Sequence, residues 1–233
     1  MNQLHVGRCF VSIAFLLIGV QLSAEHISAK AGLISQDVKH GTALSRHNPV
    51  LQLEIEGHSQ KFSAGLFTGY ASNGEASQLD LYIRYQPMEA IILKLANEYR
   101  IGYQASRVFD FDASKTGQFI NLEADVLLTR SIGFMADVYL WEYNTFNNTS
   151  INTYSTYLEL NHTSFFGENT LKFFAGATPA PGYWARSAAF VSTGFQWTRD
   201  LSLNSYGLPV FAQMVLNPDS KQLFTIVGLS ITK

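Results

Sequence analysis

The chain has almost no cysteine. Its one copy, Cys9, falls in an N-terminal stretch that reads as an export signal, so the mature chain is expected to have none. That excludes a disulfide framework, a thiolate metal site and cysteine catalysis together. Charge is also scarce: 15% of residues are Asp, Glu, Lys or Arg, and the net charge is -2. No basic surface of the kind nucleic acid requires is expected. Long hydrophobic runs are missing after the N-terminus, where no stretch approaches the roughly 18 apolar residues of a transmembrane helix. Heptads, low-complexity tracts and internal boundaries are lacking too.

The expected signal covers residues 1–24. Arg8 lies in a short polar start, an apolar run extends from Cys9 to Val20, and the small residues Ser23 and Ala24 close it. The run is too short to span a bilayer comfortably and has no stop-transfer flank. Residues 25–233 then form one domain.

Period-two alternation dominates residues 25–233. In Val50-Leu51-Gln52-Leu53-Glu54-Ile55-Glu56, leucine and isoleucine take one face while glutamine and glutamate take the other, the mark of a half-buried strand. The pattern returns in Gln78 to Tyr85 and Ile120 to Val126, and more weakly over 134–143, 154–161, 171–178, 189–197, 208–215 and 223–232. Ile91 to Gln104 keeps one phase and reads as a single long strand. With 61–71 and a poorly patterned first strand somewhere between Ser28 and Lys39, the total is about twelve, an even number as single-chain outer-membrane barrels require. The fold class expected is all-β, an antiparallel transmembrane β-barrel.

The connections alternate in length. Tight joins are expected at 57–60, 86–89, 130–133 and 199–202, with a longer one at 162–169. Larger polar loops are expected at 40–48, 106–117, 144–150 and 179–186. Short periplasmic turns and long outer loops give this rhythm. A soluble lipocalin-like barrel has the same strand period with its apolar residues inward, so alternation does not say which face is wet. Aromatic placement bears on it. With both termini on one side, Phe62, Tyr85, Phe134, Phe195 and Trp197 fall on the apolar face near the turns, and Tyr70, Tyr99, Tyr103 and Tyr154 near the loops. Two such bands suit the two membrane interfaces, although strands are rich in Tyr and Phe in any case.

The opposite face carries Glu54, Glu56, Asp80, Arg84, Lys94, Glu98, Arg100, Glu123, Asp125, Asp137, Glu159 and Lys172. A dry core does not hold so many unpaired charges, each costing several kcal/mol. A water-filled or salt-bridged lumen does. Acidic groups outnumber basic ones, which gives an open lumen a mild cation preference; a closed, mutually neutralised interior conducts nothing.

His40-Gly41 through Asn48-Pro49-Val50-Leu51-Gln52, then Ala64-Gly65-Leu66-Phe67-Thr68-Gly69-Tyr70 and Leu79 to Tyr85, resemble the start of the TorF-type porin family, bacterial outer-membrane proteins of unsettled function. The resemblance covers roughly residues 32–103, and the family pattern has an Arg-Gly pair where this chain has His40-Gly41. It implies an outer-membrane β-barrel in a Gram-negative bacterium and offers no catalytic residues.

Other motifs carry less. His162-Thr163-Ser164 has the spacing of a histidine that activates a serine in outer-membrane lipid A deacylases, but it falls in an expected periplasmic turn and no carboxylate completes it. Asp110 and Asp112 supply too few oxygens for a calcium site. Tyr183-Trp184, beside Pro179 and Pro181, suits a packed loop tip or an interface contact better than a sugar platform. No catalytic residue, metal or cofactor is expected. Two function classes remain: a passive channel for small hydrophilic solutes, and a non-conducting barrel whose outer loops bind a partner or stabilise the envelope. Outer-membrane lipid is the surrounding partner in both.

Overall fold

The computed structural model describes residues 25–45, 47–74, 77–100, 117–142, 154–203 and 206–232. The expected signal, Asp110 and Asp112, Tyr103 and the loop at 144–150 lie outside the described residues.

Alternating sequence becomes strand because a half-buried pleated surface places every second side chain on the same face. The strands are β1 (His26–Ile34), β2 (Val38–Lys39), β3 (Thr42–Ala43), β4 (Val50–Ser59), β5 (Phe62–Ala71), β6 (Ser77–Met88), β7 (Ile91–Arg100), β8 (Gln118–Leu127), β9 (Ile132–Glu142), β10 (Thr156–Phe166), β11 (Asn169–Thr178), β12 (Ala189–Leu203), β13 (Tyr206–Asn217) and β14 (Gln222–Thr232). All but β2 and β3 form one closed antiparallel barrel of 12 strands, in which each strand pairs with its sequence neighbour and β1 closes the circle between β14 and β4. Closure removes every free edge, so backbone polar groups are paired around the whole wall.

The strands run further than the side-chain pattern suggests. The joins expected at 57–60, 162–169 and 199–202 are occupied by strand: Gly57 pairs with Ala64 and His58 with Ser63, His162 with Phe173 and Ser164 with Leu171, and Asp200 with Pro209 and Ser202 with Gly207. Backbone pairing needs no particular side chain, so polar residues at the strand ends continue the ladder until Gln60, at φ 49°, and Gly167, at φ 61°, reverse the chain. Pro87 lies where the β6–β7 register shifts between Tyr85 and Met88, as its missing N–H requires.

The outward face is apolar and exposed. Leu51, Leu53, Leu66, Leu93, Leu122, Leu160, Leu216 and Val227 all stand on it. Toward the turns it is fringed by Phe62, Tyr85, Phe166, Phe173 and Phe195, and toward the loops by Tyr70, Tyr154 and Phe190. Phe62 stacks on Tyr85 with ring centroids 4.7 Å apart. Tyr99 departs from this arrangement: it is 1% exposed, because β7 from Ala96 to Arg100 is buried on both faces. Asp80 and Asn121, which alternation alone would leave facing water, are inward but buried.

Because no edge is open, the folded barrel should resist detergent unfolding, and unheated and boiled samples should migrate differently on a denaturing gel. Arginine at Leu93 or Leu160 should meet hydrocarbon and cost about 2 to 4 kcal/mol near the midplane in a urea titration in lipid. The same residue at Asp125, inward and exposed, should change the midpoint little.

Candidate functional site

A barrel of 12 strands is wider than inward side chains alone can fill. The chain supplies a filler from its own first connection. Between β1 and β4 the segment turns back into the barrel as the hairpin β2–β3, with Val38 opposite Ala43 and Lys39 opposite Thr42. His40 and Gly41 form the two-residue turn, with φ of 50° and 76°. Positive φ at both central positions is the type I′ geometry that matches strand twist. Gly41 is required on a second ground: a Cβ there would lie 1.8 Å from the Val191 carbonyl oxygen. Its own carbonyl accepts from Asn217 Nδ2 at 3.0 Å. The base of the segment is held by Leu44 N–H donating to the Asp37 carbonyl at 2.8 Å and by Asp37 N–H donating to Ser45 Oγ at 2.8 Å.

The lumen wall has two characters, and the hairpin matches both. On the β11–β14 side Phe174, Val215, Phe224 and Ile226 form an apolar cluster, against which Val38 and Ala43 pack. On the β6–β10 side the wall is acidic. Lys39 Nζ donates to Glu98 and lies 3.4 Å from Asp137, with the Tyr139 ring 5.6 Å away. His40 Nε2 is 3.0 Å from Asp137 Oδ2, and its ring stacks on Tyr157 at 3.7 Å and meets the edge of Trp184 at 4.6 Å. Asn121 donates to the other Asp137 oxygen at 2.8 Å. Burial opposes the Lys39 charge, but Glu98, Tyr139 and Asp137 outweigh it and hold its pKa well above the ordinary lysine value. Burial pushes the His40 pKa down against the pull of its bond to Asp137.

A second inward segment packs beside the hairpin, where Trp184 meets His40. Trp184 and Ala185 pack with Phe119, Tyr139, Tyr157 and Val191. Arg100 donates to the Tyr183 hydroxyl and, at 3.3 Å, to Tyr139. The Tyr183-Trp184 tip is thus packed, into the lumen and not against the interface. Tyr157 reaches across to Gly176, where a Cβ would come within 2.0 Å of its hydroxyl.

The turn half of the lumen leaves more of its charged side chains exposed. Arg84 pairs with Glu56 at 2.5 Å and Glu54 at 3.3 Å, and Tyr82 donates to Glu54 at 2.6 Å. Lys94 lies 3.9 Å from Glu123 and Lys172 lies 3.1 Å from Glu159. The side chains of Arg84 and Lys172 stay 31% and 38% exposed. Asp125 is exposed, and no ion pair to it occurs among the described residues. The ionisable residues singled out from sequence therefore divide into two groups. Asp80, Glu98, Arg100 and Asp137 are buried around the hairpin, while Glu54, Glu56, Arg84, Lys94, Glu123, Asp125, Glu159 and Lys172 line the turn half, Glu56 and Glu159 buried and the others at least partly exposed.

Sequence reasoning misses Lys39 and His40, the residues that make the constriction, because alternation assigns Lys39 to the first strand and His40 to an outer loop. A signal is present nonetheless: Val38-Lys39 and Thr42-Ala43 flank a glycine-containing pair, the minimal hairpin pattern. His162 and Ser164, 3.2 Å apart, lie on the outer face of β10, in the same phase as Leu160, and not in a turn.

Docking of His40 should be pH-dependent. A neutral buried imidazole binds fewer protons than the same group released from the lumen, so the docked hairpin loses stability as pH falls below the ordinary value of 6.5 and is at full strength above it. Hydrogen exchange at Val38 to Ala43, corrected for intrinsic rate, should accelerate by up to about tenfold per pH unit below that point. His40→Phe should flatten this dependence.

No protein-family model matches the sequence, and no curated protein is similar to it at a significant level. Among solved structures the chain is similar to a KdgM porin, with 10% identity, a TM-score of 0.50 and coverage of 88% of this chain and 97% of that one. A second KdgM structure, in complex with disordered oligogalacturonate, gives 8% identity, a TM-score of 0.50 and coverage of 88% and 97%. At these identities the likeness establishes the fold, a porin-type β-barrel.

Proposed function

We propose that the chain is an outer-membrane porin of the TorF type in a Gram-negative bacterium, passing small hydrophilic solutes by diffusion with a weak preference for cations. The observation that carries this is the turn half of the lumen, where Glu54, Glu123, Asp125 and Glu159 face inward beside the fewer bases Arg84, Lys94 and Lys172 and all of these but Glu159 stay at least partly exposed. Low-dielectric walls focus the field of such groups on ions in the pathway. Oligogalacturonate, the anion held by the similar KdgM structure, has the wrong sign for this wall. A second reading, a non-conducting barrel that acts through its outer loops, is favoured by the hairpin and Trp184 filling the loop half.

Planar-bilayer recordings of folded barrels distinguish the two. Channels with modest cation selectivity that fades as salt rises are expected, since salt at about 0.15 M screens charge over roughly 8 Å. Replacing Glu123 and Asp125 with their amides should move the reversal potential toward anions, because Lys94 loses its partner at 3.9 Å while two negative charges disappear. An unchanged reversal potential removes these residues from the pathway. Absence of conductance from verified barrels establishes the second reading.

A further inference from the structure

The acidic wall that receives Lys39 is built for an ammonium group. Glu98 and Asp137 are each 1% exposed, and the Lys39 amine sits between them. Two further buried atoms are left over. Asp80 is the direct cross-strand partner of Glu98 and is 6% exposed. Its Oδ2 accepts from Gln78 at 2.6 Å, while its Oδ1 has no hydrogen-bond partner among the described residues. Glu98 Oε2 likewise accepts no hydrogen bond there and has only Arg100 Nη2 at 3.6 Å. Such buried oxygens are costly. The cluster thus holds more acceptor capacity than one lysine amine uses.

Lys39 is also a poor permanent plug. It is carried by a two-strand hairpin of Val38–Lys39 and Thr42–Ala43, its side chain is 18% exposed, and a ladder this short has little stability of its own. A lysine head group is chemically a primary alkylammonium, the end group of any diamine or polyamine.

We infer that Glu98, Asp137 and Asp80 form a lumenal binding site for primary ammonium groups, occupied at rest by the tethered amine of Lys39, and that free alkyl di- or polyamines displace Lys39 and release the hairpin. Binding and release stand on the site's geometry. That release opens a path through the barrel rests on the channel reading of the turn half. The tether lowers the apparent affinity for a free amine by the fraction of barrels in which Lys39 is undocked.

The test uses spermidine and the full-length folded barrel in detergent. Lys39→Met vacates the site, and calorimetry should show it binding spermidine at least about tenfold more tightly than the wild type, because the internal competitor is gone. Adding Glu98→Gln and Asp137→Asn to that variant should abolish the gain. In the wild type, spermidine should accelerate hydrogen exchange at Val38 to Ala43 while the barrel strands stay protected. That measurement decides the matter if Lys39→Met does not fold, as judged by its gel mobility before and after boiling. Equal affinity in the two proteins, or unchanged exchange of the hairpin, overturns the inference. Equal displacement by magnesium at the same ionic strength overturns the assignment to ammonium groups, since it shows that the site reads charge alone. These readouts need no conductance, so a barrel that binds spermidine and releases its hairpin but carries no current defeats the channel reading and leaves the binding site standing.

Discussion

Closure of the sheet between β1 and β14 is the constraint on which the rest depends. Five residues of β1, Lys30 to Ile34, pair with Gly228 to Thr232, and that contact turns an open twelve-strand meander into a wall with no edge. Once the wall is closed, every strand has one face inward and one outward, and the two faces meet opposite solvents. The outward face can be leucine, isoleucine and phenylalanine throughout. The inward face cannot, because a ring of this many strands leaves a space that side chains do not fill by themselves.

The chain resolves this with a hairpin of matched character. Val38 and Ala43 cover the apolar patch of Phe174, Val215, Phe224 and Ile226, while Lys39 brings positive charge to the acidic patch around Glu98 and Asp137 and His40 hydrogen-bonds to Asp137. Neither patch would be stable facing the other's partner. An unpaired carboxylate buried as deeply as Asp137 would be strongly destabilising, so the hairpin and the acidic wall specify one another. The same reasoning explains why charge is distributed unevenly along the barrel. The wall's charged groups in the loop half, Asp80, Glu98, Arg100 and Asp137, are buried, whereas most of those in the turn half keep contact with water, where a partner as loose as Lys94 for Glu123 at 3.9 Å suffices.

Much of this was legible in the sequence, for a physical reason. A strand with lipid on one side and a polar lumen on the other must alternate, and alternation survives in a linear string. The strand count, the antiparallel barrel and the inward placement of Glu54, Asp80, Arg84, Lys94, Glu98, Arg100, Glu123, Asp125, Asp137, Glu159 and Lys172 are all readings of that period. Strand ends were less legible because the ladder past Gly57 and His162 is held by backbone bonds, to which side-chain polarity is indifferent.

What the tertiary structure alone decided is how deep each inward residue lies and what stands against it. Asp80 and Asp125 have the same phase and the same chemistry, yet one is buried and the other exposed, because only one faces the half of the barrel that the hairpin enters. Nothing local to Lys39 and His40 announces Glu98, Asp137 or Tyr157, which lie 59, 97 and more residues away in the chain. Alternation is a property of neighbouring residues and is written in the sequence. The meeting of a loop with the opposite wall is a property of the closed barrel, and it exists only after closure has brought those residues together.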